Sequence, residues 1–284
     1  MISLIMATVG RSDDVSRMIE SLATQTDRSI ELIIVDQNQD DRLLPHIARG
    51  RSLGIDIIHE RHSPPNLSGA RNHGIRCAKG EVLAFPDDDC WYEPEVIKVI
   101  RRRFNDTVEI QAIVAQWVEH VKAGASGRES FELSLDDWRR FRGGQANSNT
   151  LFFRKEWFDK LGGFDERLGV GQWYGAAEET DFVLRALNGG VKILYCPTAQ
   201  VHHPYNAERT QNLMENCHKA RLRARGTGAI YAKHRISFYV IIRGLIAPLV
   251  VPLFRLRKMA DILRGVFTSI GRLEGYLKWR IYEK

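Results

Sequence analysis

The sequence predicts an α/β fold in which helices cover both faces of a mostly parallel sheet. Short apolar runs rich in β-branched residues alternate with helical patterns from the first residue onward. Unbroken apolar strands joined by helices are typical of parallel strands that are buried on both faces. Sheets of this kind bind ligands at the carboxyl ends of their strands. We therefore expect the functional residues to follow the strands.

The first part of the chain supplies four predicted strands, at Ile2–Ala7, Ile30–Val35, Ile55–His59 and Val82–Phe85. Helices are predicted at Asp13–Thr24, at Ala70–Ala78 and from Pro94 to about Phe104. In the first helix, apolar residues recur at helical spacing and form one face. Because proline is favoured in the first turn of a helix, Pro94 marks the start of the third.

The alternation continues less regularly beyond residue 105. Strands are predicted at Thr150–Arg154 and Lys192–Tyr195. Between them we expect a helical turn at Glu156–Lys160 and a helix through Thr180–Leu187. Lys122–Ser130 is small, Gly-rich and charged, which predicts a mobile loop.

A change of composition near residue 206 divides the chain. Residues 1–206 carry 25 Lys/Arg against 30 Asp/Glu, a balance of −5, whereas Ala207–Lys284 carries 16 against 5, a balance of +11. We therefore predict a folded body over residues 1–206 and a basic, mainly helical tail over 207–284. A tail of this charge indicates an anionic partner, either a membrane surface or a nucleic acid.

The cysteines and the start of the chain bear on the compartment. Four cysteines show no CxxC pair and no framework spacing, so we interpret them as buried thiols in a reducing compartment. Apolar residues begin at Ile2 without the basic region or cleavage site of a signal peptide. We expect the body to stay in the cytosol.

Three consecutive acids, Asp87, Asp88 and Asp89, directly follow the predicted strand Val82–Phe85. Neighbouring carboxylates repel one another, and a cation can neutralise them. Oxygen ligands of this kind suit Mg²⁺ or Mn²⁺, which bridge to substrate phosphates. A solvated acidic turn that caps the following helix explains the triplet equally well when it is considered alone.

Other polar residues favour the metal interpretation. Thr8 and Arg11 follow the first predicted strand, and Asp36 follows the second, so they converge with the acids on one edge of the sheet. The GxGxxG and GxxxxGK[ST] phosphate loops are both absent. A carboxylate-bound metal assisted by arginines, with Arg71 as one candidate, would then hold the phosphates.

Seven motifs in sequence order carry a family resemblance. They are TVGR at Thr8–Arg11, IVD at Ile34–Asp36, SGARNHG at Ser68–Gly74, LAFPDDD at Leu83–Asp89, GGFDE at Gly162–Glu166, EETD at Glu178–Asp181 and PTAQVHH at Pro197–His203. The chain resembles glycosyltransferase family 2, whose members have the GT-A fold. The resemblance covers roughly residues 1–206, with a nucleotide-sugar half at about 1–105 and an acceptor half at 106–206.

The resemblance assigns donor and metal residues. Thr8, Arg11 and Asp36 would line the base and ribose pocket, and Arg71 would contact the donor. Asp87 and Asp89 match the two acids of the DxD motif.

Asp87 would hold the ribose or the water shell of the metal, and Asp88 belongs to the same donor site. Asp89 would ligate Mg²⁺ or Mn²⁺ directly. His203 matches a histidine that approaches the metal or the diphosphate, with His202 as the fallback; a structural histidine is an equally good interpretation.

The resemblance also assigns a catalytic base. Glu178-Glu179 falls where the family carries Glu-Asp, so Glu179 would take the proton of the acceptor hydroxyl in a single inverting displacement. Glu178 remains an alternative, and acids in the first turn of a helix also stabilise its dipole. Trp173 and Tyr174 would either stack on an acceptor sugar or belong to the core.

Arg139, Arg140 and Arg142 are interpreted as a solvated basic face in preference to an acceptor-phosphate site. The QxxRW motif of processive synthases does not follow Glu179, which favours transfer of one sugar per acceptor. The resemblance implies a nucleoside-diphosphate sugar donor, most often a UDP-sugar, with GDP- and dTDP-sugars open. We expect a glycan acceptor on a polyprenyl diphosphate carrier, because a membrane-bound acceptor would give the tail its purpose.

Three other functions compete with this interpretation. A sugar nucleotidyltransferase would carry a GxGxxxR loop near the start, which TVGR lacks. A nucleic-acid partner is not expected, because groove-reading motifs are missing and the acidic site would go unexplained. A non-catalytic sugar- or lipid-binding protein would not need the acids Asp87, Asp89 and Glu179.

The tail contains one long apolar segment, Ile236–Phe254. Its length would just span a bilayer, but Arg243 lies near its middle, Pro248 and Pro252 interrupt it, and basic residues flank both ends. We therefore expect it to lie in the interface at the cytosolic face of a membrane. The alternative is a small helical core that packs on the body. Because the body has a balance of −5 and the tail +11, we expect little of the membrane attraction to reside in the body. Truncation after Pro204 should then release the protein from membranes and leave the donor pocket largely assembled.

Overall fold

Strands and helices alternate through the first two thirds of the chain, and three long helices follow. The computed structural model describes residues 1–119, 129–142, 146–204, 212–254 and 258–283. The strands are β1 (Ile2–Thr8), β2 (Ile30–Asp36), β3 (Ile57–Arg61), β4 (Val82–Ala84), β5 (Trp91–Tyr92), β6 (Ala112–Glu119), β7 (Phe131–Glu132), β8 (Leu151–Arg154) and β9 (Ile193–His203). The helices are α1 (Asp13–Ala23), α2 (Leu44–Ser52), α3 (Leu67–Cys77), α4 (Val96–Asp106), α5 (Leu135–Arg139), α6 (Glu156–Leu161), α7 (Glu178–Asn188), α8 (Leu213–Lys233), α9 (Phe238–Phe254) and α10 (Met259–Tyr282).

The nine strands of the described residues form one mixed sheet. Its order is β3-β2-β1-β4-β8-β6-β9-β5, and β7 pairs with β9. The long strands β1, β2 and β3 pair in parallel, as do β6 and β9. β8 is antiparallel to both of its neighbours, β4 and β6. The predicted α/β class with a mostly parallel sheet is confirmed. The antiparallel exceptions are β8 and the two-residue strands β5 and β7, which pair with β9.

Helices cover both faces of the sheet. In β1, Ile5 packs into one core cluster with residues of α3 and α7, whereas Leu4 and Met6 pack into another with residues of α1 and α4. Successive side chains of a strand point to opposite faces, so a strand that is apolar throughout must be covered twice. This arrangement explains the unbroken apolar runs.

Several element boundaries differ from the prediction. α3 begins at Leu67, three residues early, because the side chain of Asn66 caps it by accepting from the Gly69 N–H at 3.1 Å. β3 begins at Ile57 rather than Ile55. Pro94 precedes α4 instead of opening it.

The final strand is much longer than the predicted Lys192–Tyr195. In β9, Cys196 pairs with Ala115, but the next residue of β6 pairs with Gln200, so the register shifts around Pro197. Proline has no N–H to donate to a ladder, and a bulge accommodates it. The strand then continues to His203 and delivers that residue to the edge of the sheet.

The tail packs on the body. Ala229 and Ile230 of α8 and Trp279 of α10 are buried in the same core cluster as residues of the sheet. Removal of the tail would uncover part of this core, which argues against the expectation that the donor pocket survives truncation. For the inner face of the tail, the alternative of a helical core packed on the body is correct.

No helix in the described part of the chain is both long and apolar enough to cross a membrane. The apolar segment of the tail forms α9, a helix of 17 residues with Pro248 and Pro252 inside it. The predicted loop Lys122–Ser130 falls almost entirely outside the described residues, as does the predicted boundary near residue 206.

Glycines bring α8 and α10 into backbone contact. A Cβ on Gly271 would overlap the carbonyl of Arg221, and one on Gly275 would overlap the carbonyl of Arg225. From the first contact to the second, the residue number rises by four in α8 and by four in α10, so the two helices run parallel. Glu274 lies between these glycines and accepts from Arg221 and from Arg225, the latter at 2.8 Å.

We predict that Gly275→Ala destabilises the fold, because the added methyl group meets backbone that cannot rotate away. Overpacking costs about 1–3 kcal/mol, and we expect a value near the upper end, beyond the about 1 kcal/mol that alanine gains over glycine in a helix. Urea unfolding measures the loss. Gly189→Ala is the control, since a Cβ there would meet no atom closer than 3.4 Å. Equal unfolding midpoints for the two variants would contradict this packing of the tail.

Candidate active site

The carboxyl ends of the strands open into a cavity of about 630 Å³. Its walls come from the ends of β1, β2 and β4, from the start of α3, and from the segment that leads into α7. Asp87, Asp88, Asp89, Glu178 and Glu179 all line it. Five acids in one cavity make its electrostatic potential more negative. The cavity therefore favours cationic ligands, or anions that are accompanied by a cation.

Two of the acids form a cluster with a histidine. Ligand atoms of Asp87, Asp89 and His203 all lie within 4.8 Å of one another. The Nε2 of His203 is 3.0 Å from Asp89 Oδ1 and 3.8 Å from Asp87 Oδ2. Two carboxylates and one imidazole suit Mn²⁺, and carboxylates alone suit Mg²⁺. The donor set therefore fits the expected cation.

His203 and not His202 faces this cluster. Adjacent residues of a strand point to opposite faces, and His202 turns away to pair its Nε2 with Glu93 at 2.6 Å. Its ring stacks on Trp91 with centroids 5.1 Å apart. His202 is thus a buried structural histidine, and the fallback assignment is not needed.

Arg11 covers the acids from the side of β1. Its guanidinium lies 3.0 Å from Asp88 and 2.9 Å from Asp89, and a further nitrogen pairs with Asp14 at 2.9 Å. Thr8 does not line the cavity itself, but its hydroxyl donates to Asp88 at 2.7 Å. Thr8 and Arg11 therefore act together on Asp88.

The three acids differ in proton affinity. Burial raises the pKa of Asp88 to about 6, although the Thr8 hydroxyl and Arg11 oppose the shift. Burial also raises the pKa of Asp87, against the charge of Arg71. For Asp89 burial is outweighed by the hydrogen bond and charge of His203 and by Arg11, so its pKa is lowered. Asp89 is the acid most strongly held as a carboxylate, which suits a metal ligand.

Asp36 supports the wall from behind. Its carboxylate is fully buried and does not line the cavity, where its neighbour Gln37 stands instead. One oxygen accepts from the backbone and side chain of Asn38, and the other lies 3.0 Å from both His59 and Arg61. The predicted contact of Asp36 with the donor is not available in this arrangement.

Arg71 is buried and holds the site together. It is 1% exposed, yet it donates to Glu178 at 2.9 Å, to Asp87 at 3.1 Å and to the Ser148 hydroxyl at 2.9 Å. These bonds join α3, the first turn of α7 and the segment after β4. Arg71 thus positions two acids. It also borders the cavity, so its predicted contact with the donor stays a prediction.

The two glutamates at the start of α7 have different surroundings. Glu178 is buried and bound by Arg71. Glu179 lines the cavity, and burial together with the neighbouring Glu178 charge raises its pKa. A glutamate with a raised pKa accepts a proton more readily than an ordinary one. The geometry thus separates a positioned Glu178 from a Glu179 that is available to a ligand.

The predicted aromatic and basic candidates lie elsewhere. Tyr174 is buried in the core, and Trp173 is held by Lys278 and Arg225, at 3.9 and 4.3 Å from its ring centroid. Neither aromatic residue lines the cavity. The basic residues Arg139, Arg140 and Arg142 do not line it either, in agreement with a solvated basic face.

Three parts of the wall were not predicted from the sequence. Trp117 at the end of β6 contacts the ring of His203, with centroids 6.1 Å apart. Asn147, Ser148 and Asn149 form a turn before β8, and Arg223 reaches the cavity from α8. A run of three polar residues before a strand signals the turn. For Arg223 no local signal exists, because its position depends on how the tail packs.

Known proteins resemble this chain in sequence. An uncharacterized glycosyltransferase of Haemophilus influenzae is 28% identical over 193 residues, which cover 66% of this chain and 62% of that protein. Escherichia coli WfaP, a UDP-Glc:alpha-D-GlcNAc-diphosphoundecaprenol beta-1,3-glucosyltransferase, is 31% identical over 97 residues, or 34% of this chain and 38% of WfaP. The match thus spans less than two thirds of either relative.

Solved structures resemble it in fold. S. aureus TarS in complex with UDP-GlcNAc superposes with a TM-score of 0.63 at 14% identity, covering 99% of this chain and 93% of TarS. The mannosyltransferase PcManGT from Pyrobaculum calidifontis, in complex with GDP-Man and Mn²⁺, superposes with a TM-score of 0.63 at 14% identity. The superposition covers 100% of this chain and 87% of PcManGT. The predicted GT-A fold is confirmed. The sequence model of glycosyl transferase family 2 matches residues 3–160, more than half of the chain, and the protein therefore belongs to that family.

Proposed function

We propose that this protein transfers one sugar, with inversion, from a nucleoside-diphosphate sugar to a hydroxyl of a lipid-linked glycan. One observation carries the proposal: the Asp87–Asp89–His203 cluster and the carboxylate of Glu179 line the same cavity. The cluster supplies a place for the diphosphate and its cation, and Glu179 supplies a base. Family membership removes the sugar nucleotidyltransferase as a competitor.

Asp89 and His203 would hold Mg²⁺ or Mn²⁺, with Asp87 beside them. When bound, the cation would supply positive charge to the departing diphosphate. Arg11 occupies the same acids through its ion pairs with Asp88 and Asp89. His203 and Arg11 together lower the pKa of Asp89, and a guanidinium released from its ion pairs would bind phosphate oxygens.

Glu179 would remove the proton from the acceptor hydroxyl. The negative charge of Glu178 lies beside Glu179, and Arg71 holds Glu178 in place through a hydrogen bond. The raised pKa of Glu179 strengthens it as a base for a weakly acidic hydroxyl. Only the ionised form accepts the proton, so turnover should fall as the pH drops below this raised pKa.

The donor and acceptor classes come from the relatives. The TarS structure contains UDP-GlcNAc and the PcManGT structure contains GDP-Man with Mn²⁺, so both nucleotides fit this fold. We propose a UDP-sugar as the donor. The acceptor named for WfaP is a sugar on diphosphoundecaprenol, and we propose a polyprenyl-diphosphate-linked glycan here.

The tail would place the protein at the cytosolic face of a membrane. On α10 the outward residues Val266, Ile270, Leu273, Leu277 and Ile281 are 37–62% exposed and recur at helical spacing. We name them the α10 stripe. An apolar stripe without a protein partner among the described residues, on a tail of charge +11, fits an anionic lipid surface.

We predict that Asp89→Ala abolishes metal-dependent binding of UDP, because it removes the acid most strongly held as a carboxylate. Calorimetry with UDP in the presence and absence of Mn²⁺ tests this. Asp106→Ala is the control, since that exposed aspartate on α4 pairs only with Arg102 at 3.2 Å. Unchanged metal-dependent affinity in Asp89→Ala would rule out the metal site.

We predict that Glu179→Gln keeps UDP affinity but lowers kcat by roughly 10²–10⁴, the usual contribution of a general base. UDP release with GlcNAc-diphosphoprenol as acceptor measures the rate. Glu178→Gln should lose less activity but more stability, because it breaks the buried pair with Arg71. A dead Glu178→Gln beside an active Glu179→Gln would reverse the assignment.

We predict that the protein floats with anionic vesicles, and that high salt weakens its binding to them. Each Lys or Arg near an anionic surface contributes about 1 kcal/mol, and salt screens this term. The double substitution Leu273→Glu and Leu277→Glu should abolish flotation. Val108→Glu on the body, where the side chain is 79% exposed, is the control. A wild-type protein that fails to float would end the membrane proposal.

A further inference from the structure

Three arginines line the active-site cavity, and two of them are paired. Arg11 binds Asp88 and Asp89, and Arg71 binds Glu178 and Asp87. The third, Arg223 of α8, has no ion pair or hydrogen bond with any residue that the structure describes. A guanidinium is thus left free on a wall that is otherwise rich in carboxylates.

The backbone of Arg223 is held rigidly at this wall. A Cβ on Gly226 would overlap the carbonyl of Ala176, and the Leu222 carbonyl lies against Gly175. On either side, Arg221 and Arg225 are tied to Glu274 of α10. The neighbours of Arg223 are therefore committed to packing, whereas Arg223 itself is exposed and lines the cavity.

The same contacts place Arg223 beside the proposed base. Gly175 and Ala176 directly precede the first turn of α7, which carries Glu179. The Asp87–Asp89–His203 cluster belongs to the strand edge instead, where the donor diphosphate is proposed to bind. Arg223 is consequently associated with the acceptor side of the cavity.

We propose that Arg223 binds the phosphate group of the acceptor, and that the acceptor is a prenyl-linked diphosphate and not a neutral glycan. This inference rests on the proposed function. A guanidinium presents a fork of N–H groups that matches two phosphate oxygens. Contact with that phosphate fixes the attached sugar, so its hydroxyl lies near Glu179 only when the anion is seated.

The expected interaction distinguishes Arg223 from an ordinary solvated arginine. A surface arginine changes neither ligand affinity nor selectivity when it is replaced. A hydrogen-bonded pair with a charged partner contributes enough that its loss weakens binding by about tenfold to a hundredfold. Lysine retains the charge but loses the fork, so Arg223→Lys should fall between the wild type and Arg223→Ala.

Calorimetry on the full chain, saturated with UDP and Mn²⁺, tests the inference with farnesyl diphosphate as the probe. We expect Arg223→Ala to bind it about tenfold to a hundredfold more weakly than the wild type does. Arg280→Ala is the matched control, because Arg280 is exposed on α10 and does not line the cavity. Farnesol should bind all variants equally, since it offers no phosphate.

Two outcomes would overturn the inference. One is equal affinity of the wild type and Arg223→Ala for farnesyl diphosphate. The other is binding of inorganic phosphate as tightly as farnesyl diphosphate, because the site would then not select a prenyl-linked group. Binding of UDP is measured first in every variant, so a failure of the donor site is seen separately from a failure of Arg223.

Discussion

A buried arginine organises the catalytic centre. Arg71 is 1% exposed, and its removal from water costs several kcal/mol unless opposite charges and hydrogen bonds surround it. Glu178, Asp87 and Ser148 provide them, each from a different part of the chain. The dependence is mutual, because loss of the guanidinium would leave two acids facing each other in a largely buried site. Helix α3, the start of α7 and the turn after β4 are therefore fixed relative to one another by one side chain.

That interaction divides the acids of the cavity into separate tasks. Glu178 is paired with Arg71, whereas burial and the charge of Glu178 raise the pKa of Glu179 in spite of the opposing charge of Arg71. Asp89 faces His203 and Arg11, and its pKa is lowered. Five carboxylates in one cavity thus do not behave alike. The proposed base Glu179 and the proposed metal ligand Asp89 thus differ in the direction of their pKa shifts, because burial prevails at Glu179 and the neighbouring His203 and Arg11 prevail at Asp89.

Local sequence predicted the residues that follow a strand or begin a helix. Asp87–Asp89 and Glu178-Glu179 were found this way because a strand end and a helix start fix where such side chains go. Features that depend on distant packing were not found. The resemblance singled out His203, but the register shift at Pro197 that precedes it in β9 was not predicted. Arg223 was not predicted either, because it reaches the cavity through the close contact of Gly226 in α8 with Ala176. Asp36 was misplaced for the same reason, since its partners His59 and Arg61 come from the neighbouring strand.

The tail carries both parts of the acceptor recognition that we propose, the phosphate contact and the apolar surface. α8 carries Arg223 at the cavity, and α10 carries the α10 stripe on its outer side. Glycine contacts and the bonds of Glu274 to Arg221 and Arg225 hold these helices in parallel register. In a prenyl diphosphate the anion and the apolar chain are covalently joined. Two helices that are already held together would contact both parts without the entropy cost of ordering two separate elements. On this proposal the basic tail is a part of the acceptor site as well as an anchor, and its packing into the core of the body is consistent with that role.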